Sequence, residues 1–371
     1  MLGLELRDWW WLWSRCPGLG SSRMHALRAL ALGTEGGFAA LWGWPRARLK
    51  AALLWPDSLL ERVDRFRSRW GKAPRVSVPA DVLVPGDRIW PDALSALSRP
   101  PVALFWRGQD SLWTALADSA AVAIVGTRRP SSHALRVATR LGEALAEGGW
   151  PVVSGLAEGV DAAAHQGCLA ASGRPIAVVG TPLTRVYPPE HAQLQAHVAS
   201  SGLLITEQAP EARVSRASFA LRNRLLVALA RVVVVVECPQ GSGALLSAQC
   251  AQQLGRALWV VPGDVLRDSA KGSNALLAEG ASPLVCIDHF LDSLGAGCVA
   301  RPEQSSFSKL SPSVAAGAQD SALLRLLEQG AGLETLGQEL SRSTADLAEQ
   351  LFQLELQGVV CAEPGMRWRL A

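Results

Sequence analysis

The chain has 371 residues, 49% of them hydrophobic and 19% charged, which excludes disorder of the whole and leaves room for two or three domains at roughly 150 residues each. Its longest apolar blocks, such as Val232 to Val236, fall far short of the ~20 residues that span a bilayer, and charges stand where a signal peptide would place its apolar core. A soluble, cytoplasmic protein without membrane insertion is therefore expected. The net charge of +3 hides an asymmetry: residues 1 to 75 carry 13 Lys/Arg against 6 Asp/Glu, whereas residues 289 to 371 carry 6 against 10. A basic end attracts a polyanion at long range, although charge alone does not say which one. Seven scattered cysteines with no Cys-x-x-Cys pair fit reduced thiols and give no metal site.

Residues 1 to 75 read as helices broken by Gly and Pro. The stretch Cys16-Pro17-Gly18-Leu19-Gly20-Ser21-Ser22 resembles the hairpin of a helix-hairpin-helix or sterile-alpha-motif (SAM)-like module, and its glycines serve either a tight turn or an amide approach to phosphate. Trp9, Trp10, Trp11 and Trp13 read as core and docking surface. A Pro-rich connector is expected over residues 76 to 120, ending in an edge strand at Pro100 to Trp106.

From Ala121 a strand-helix alternation takes over. The runs at 121–125, 151–154, 176–179, 203–207, 232–237 and 258–261 are apolar on both faces, as in a parallel sheet covered by helices on each side. The expected fold class is α/β, a Rossmann-like doubly wound and mostly parallel sheet over residues 121 to 290. A linker follows at 291 to 318, and residues 319 to 371, three helices and a hairpin, have a winged-helix pattern.

Ligands of such sheets bind beyond the carboxyl ends of the strands. The first loop, Gly126-Thr127-Arg128-Arg129-Pro130-Ser131, lacks the Gly-x-Gly-x-x-Gly fingerprint, so no dinucleotide cofactor is expected, but it offers amides, a hydroxyl and guanidinium groups to a phosphate at a helix start. The second, Ser154-Gly155-Leu156-Ala157-Glu158-Gly159-Val160-Asp161, is another anion-receptive turn. Asp161 and His165 lack a third partner for acid–base or metal chemistry and read as a helix-start residue and a structural neighbour. Arg213 to Arg231 holds Arg213, Arg216, Arg222, Arg224 and Arg231 around Phe219, the ingredients of sequence-independent single-strand binding. Gly241-Ser242-Gly243 adds a further amide nest.

These motifs, together with Val186-Tyr187-Pro188, Arg222-Asn223-Arg224, Ser242-Gly243-Ala244-Leu245, Val261-Pro262-Gly263 and Gly272-Ser273-Asn274, follow the order and spacing of the DNA-processing protein A (DprA/Smf) family, which the chain resembles over about 121 to 287. The resemblance implies a bacterial protein, not an enzyme, that binds and protects incoming single-stranded DNA in natural transformation. It also implies loading of the RecA recombinase and homodimers formed through the Rossmann-like domain. Carried over by position, the DNA site falls on Gly126, Thr127, Arg128, Ser154, Gly155, Arg216, Phe219 and Asn223, with Ser242 and Gly243 beside them. Ala220 stands where the family usually has Pro, Arg216 where Lys is common, and Trp90-Pro91 replaces Tyr-Pro.

The alternative from another class is a Rossmann-like nucleotide hydrolase of the lysine-decarboxylase-like type. Its Pro-Gly-Gly-x-Gly-Thr-x-x-Glu loop corresponds here to Pro239 to Ser247, which has no glutamate where the acid would stand. In the tail, the third helix carries Asp346, Glu349 and Glu355 and no Lys or Arg, a composition suited to a protein contact and not to a DNA groove.

Overall fold

The computed structural model describes residues 5–299, 318–327, 330–340, 342–356, 360–363 and 367–370. The chain divides into two compact units, Met1–Pro302 and Glu303–Ala371. The first begins with helices α1 (Leu6–Ser14), α2 (Ser21–Leu32), α3 (Gly37–Gly43), α4 (Arg46–Leu53) and α5 (Asp57–Trp70). Glu5 and Asp8 form a reciprocal cap that starts α1, and the tryptophan run is then driven inward. Trp10, Trp11 and Trp13 are buried, Trp13 meets Trp42 edge-on at 5.0 Å, and Trp10 Nε1 donates to the Val102 carbonyl at 2.7 Å. At the 16–22 hairpin, the Gly18 carbonyl accepts from Arg23 and the Ser21 hydroxyl donates to Pro100, so the turn is tied back to the chain.

The sheet is built from β1 (Val82–Leu83), β2 (Leu104–Gly108), β3 (Val122–Val125), β4 (Val152–Ser154), β5 (Pro175–Val178), β6 (Leu203–Thr206), β7 (Val232–Val235), β8 (Ala257–Val260) and β9 (Ser282–Pro283). Its order is β1-β2-β6-β5-β4-β3-β7-β8-β9. Strands β3 to β9 pair in parallel, whereas β2 runs antiparallel to β6 and to β1. The crossovers are α8 (Ser132–Glu147), α9 (Val160–Ala170), α10 (Ala192–Ser201), α11 (Arg216–Ala228), α12 (Gly243–Gln253) and α13 (Lys271–Ala278), and α14 (Ile287–Leu294) follows the last strand. This is a Rossmann-like arrangement. Strands progress outward from β3 in one direction to β6 and restart at β7 on its other side, which makes the gap between β3 and β7 the topological switch point.

Two expectations change. The 76–120 segment is no mere connector: it supplies both antiparallel strands and the helices α6 (Asp92–Ser95) and α7 (Leu112–Ala117). Leu83, Trp90, Leu94, Leu104 and Trp113 share one core with Val233 and Val235, and that burial outweighs the local proline content. The linker expected from 291 also begins later. α14 runs to Leu294, Trp150 Nε1 donates to the Gly295 carbonyl at 3.0 Å, and Gly297 and Val299 amides bond to Gly148 and Gly149. The rest of that linker, 300–317, lies outside the described residues.

The second unit contains α15 (Ala318–Leu327), β10 (Ala331–Gly332), α16 (Leu333–Leu340), α17 (Thr344–Leu356), β11 (Val360–Glu363) and β12 (Arg367–Leu370). Its strands pair antiparallel in the order β10-β12-β11 around Leu323, Leu327, Leu336, Leu347 and Leu351. Asp346, Glu349 and Glu355 are exposed on α17. The turns expected at Ser341 and at 364–366 lie outside the described residues. No helix among the described residues is long and apolar enough to cross a membrane.

Candidate nucleic-acid interface

A cleft of about 590 Å³ opens at the switch point, between the loop after β3, the first turns of α11 and the turn that opens α12. Gly126 ends β3 against the Val160 side chain. The Thr127 amide donates to the Glu237 carbonyl at 2.7 Å, and its hydroxyl accepts from the Arg129 amide at 3.2 Å. With the loop fixed at both points, Arg128 is left exposed, its guanidinium 5.9 Å from the Phe219 ring centroid.

On α11, a helical period places Arg216, Phe219 and Asn223 on one face, three and then four residues apart. Ser215 and Ser218 cap that helix reciprocally, so its first turn is fixed without the proline that Ala220 replaces. Arg216 is exposed, and Phe219 is half-buried. Asn223 Nδ2 donates to the Gly243 carbonyl at 3.2 Å, and the Ser242 hydroxyl caps α12 by accepting from the Ala244 amide at 3.3 Å. These contacts bring Gly126, Thr127, Arg128, Arg216, Phe219, Asn223, Ser242 and Gly243 around one cavity.

Ser154 and Gly155 are not among its lining residues. Ser154 is fully buried and donates to the Ile124 carbonyl at 2.7 Å. Gly155 lies beneath the Arg222 guanidinium, so closely that any Cβ there would overlap it. The anion-receptive turn read from Ser154-Gly155 thus faces the protein interior. The arginine stretch needs the same correction. Arg222 is only 4% exposed and donates to the Val178 carbonyl, and Arg224 pairs with Glu207 at 2.6 Å with both side chains mostly covered. Arg231 lies against the Trp150 ring. Arg213, Arg216 and Arg231 are the arginines of this stretch left exposed to solvent, and of these Arg216 lines the cleft.

The start of α8 is also occupied. The buried Glu237 carboxylate accepts from the Ser131 amide at 2.9 Å and from its hydroxyl at 2.6 Å, so an internal anion sits where a phosphate was expected. In the wall of the cleft, burial pushes the Asp161 carboxyl above its ordinary range, and the nearby Arg222 charge opposes that shift. Burial drives His165 down to about 3; it is neutral at neutral pH and does not line the cavity.

Sequence reasoning missed three residues with clear places. Tyr187, the chain's single tyrosine, packs at a tilt against Phe219 with centroids 4.9 Å apart; its motif was visible, but its neighbour was not. Gly180 supports the same ring, since a Cβ there would come within 2.9 Å of Phe219 Cδ1 and 3.1 Å of its backbone Cα. Glu237 was legible only as the end of an apolar run.

The family model described as DNA recombination-mediator protein A matches residues 81–295. Protein Smf of Synechocystis is 32% identical over 317 residues, covering 77% of this chain and 79% of that protein. DNA processing protein DprA of Bacillus subtilis is 30% identical over 254 residues, 67% of this chain and 82% of its own. Among solved structures, DNA processing protein A from Streptococcus pneumoniae superposes with a TM-score of 0.63 at 26% identity, covering 78% of this chain and 98% of that one. DNA processing protein A from Helicobacter pylori, solved for its single-stranded DNA binding mode, gives a TM-score of 0.51 at 31% identity over 57% of this chain and 95% of its own.

Proposed function

The chain belongs to the DNA recombination-mediator protein A family, and we propose that its switch-point cleft binds single-stranded DNA without sequence preference. The observation that carries this reading is the exposed Arg128 guanidinium above the half-buried Phe219 ring, which is itself braced by Tyr187 and Gly180. Arg128 and Arg216 take successive phosphates, and a base unstacked from its neighbours lies against Phe219. Duplex DNA keeps its bases inside the helix and has no use for such a ring. The buried Arg222 forms part of the wall of the cleft, and Ser154 and Gly155 support it from behind.

On this reading the protein is a DNA-binding and not a catalytic protein, cytoplasmic, protecting incoming DNA in natural transformation and loading RecA onto it. Loading is read from RecA filament formation on DNA already coated by the protein. A homodimer through the Rossmann-like domain is supported by Val265 and Leu266, 79% and 87% exposed beyond β8, and by exposed Val285 beyond β9; the sedimenting mass is its check. The front helices are a SAM or helix-hairpin-helix-like domain and the tail a winged helix whose acidic α17 contacts protein. Deleting residues 319–371 should therefore leave single-strand affinity intact, and a tenfold loss, about 1.4 kcal/mol, would refute it.

The decisive measurement is binding of a labelled oligothymidylate across a salt series. Arg128→Ala should weaken binding and lower the salt slope by about 1, the share of one released counterion. Phe219→Ala should cost about 1–3 kcal/mol with little change in slope. Equal affinity of both variants and the unaltered protein would leave the cleft without this role.

A further inference from the structure

The front helices carry a second groove, of about 520 Å³, between the end of α3 and the end of α5. Its walls are Trp42 and Trp44 on one side and Ser68, Gly71 and Lys72 on the other. Arg67 builds the floor: its guanidinium donates to the Trp42 and Trp44 carbonyls at 2.9 and 2.8 Å and pairs with Asp64 at 2.6 Å. Trp42 Nε1 closes the end by donating to the Gly71 carbonyl at 2.9 Å. This framework holds Trp44 half-buried, with the Arg48 guanidinium stacked 3.7 Å from its ring centroid.

Charge is left over around this ring. Arg46 and Lys50 pair with Asp57, but Arg48 and Lys72 are exposed and have no acidic partner among the described residues. A fixed aromatic surface ringed by uncompensated cations has the chemistry of the switch-point cleft, repeated on a different set of elements. We propose that this groove is a second subsite for single-stranded DNA, in which Trp44 takes a base and Arg48 and Lys72 take the flanking phosphates. The inference rests on the single-strand reading of the cleft and extends it: one strand engages both places, so affinity grows with strand length beyond what the cleft alone provides.

Gly43 offers a mild test, because a Cβ there meets nothing within 4 Å and a side chain enters open groove. In the full chain, Gly43→Glu and the pair Arg48→Glu with Lys72→Glu are compared with the unaltered protein, on oligothymidylates of about 8 and about 40 nucleotides. Both variants should bind the long strand about tenfold more weakly, with a salt slope reduced by about 1–2, and leave the short strand unchanged. A long-strand affinity unchanged in both, while Arg128→Ala still weakens it, overturns the second subsite and leaves the cleft reading standing. Failure of the unaltered protein to bind either strand sinks the cleft reading itself.

Discussion

Replacing Arg222 with methionine should lower the unfolding free energy by about 3–5 kcal/mol, the order expected when one of two facing buried charges is removed and the other is left uncompensated. Arg222 sits beneath the sheet rim with its guanidinium on Gly155 and a hydrogen bond to the Val178 carbonyl, and its charge faces Asp161. Methionine fills much of the volume but restores neither the bond nor the charge. Asp161 then keeps a long contact from the Ala157 amide, at 3.4 Å, and weaker support from Ser154 and Gly155, but no opposite charge, and its carboxyl rises further. A carboxyl raised above its unfolded value of 3.8 supports the fold fully below that value and loses this support as pH climbs through the folded one. The deficit of Arg222→Met, followed by urea unfolding, should therefore be larger at pH 7 than in mild acid. Adding Asp161→Asn should recover part of it. A deficit that ignores pH and is unaffected by the second change would mean that Arg222 acts by packing alone.

This placement explains where the sequence could be read and where it could not. Strands β3 to β7 announce themselves because both faces are buried, as Val232 to Val235 illustrate, and α8 is marked by the Ser131 cap. Strands β1 and β9 are two residues long, too short for any period to register. Within α11 the composition is uniform and only phase separates roles. Arg216, Phe219 and Asn223 reach solvent at the cleft, whereas Arg222, one residue from Asn223, is buried in its wall with its guanidinium on the Val178 carbonyl. Phase against a sheet is a tertiary property, so five arginines looked alike in one dimension. Ser154-Gly155 misled for a related reason. A Gly-rich turn after a strand signals a close approach, but does not say whether a phosphate or a guanidinium makes it.

The second large effect concerns acid. His165 is fully buried on α9, and neither ring nitrogen has a hydrogen-bond partner among the described residues. Burial, aided by the Arg222 charge, holds its pKa at about 3 against an ordinary 6.5. Below pH 6.5 the unfolded chain takes up a proton that the folded chain refuses, so the histidine's contribution is complete above that value and is lost as pH falls. The loss runs at roughly 1.4 kcal/mol per pH unit and continues down to about pH 3. A chain of ordinary stability, about 5–15 kcal/mol, should therefore unfold well above the pH at which its carboxylates alone would release it. His165→Leu removes the proton site at nearly constant volume and leaves no orphaned nitrogen. It should match the unaltered protein at pH 7 and be the more stable of the two by roughly 2 kcal/mol near pH 5. Parallel acid titrations of tryptophan fluorescence decide the matter: coincident curves would place the acid-sensitive group elsewhere, whereas a variant midpoint shifted to lower pH locates it behind the wall that Arg222 and Gly155 form.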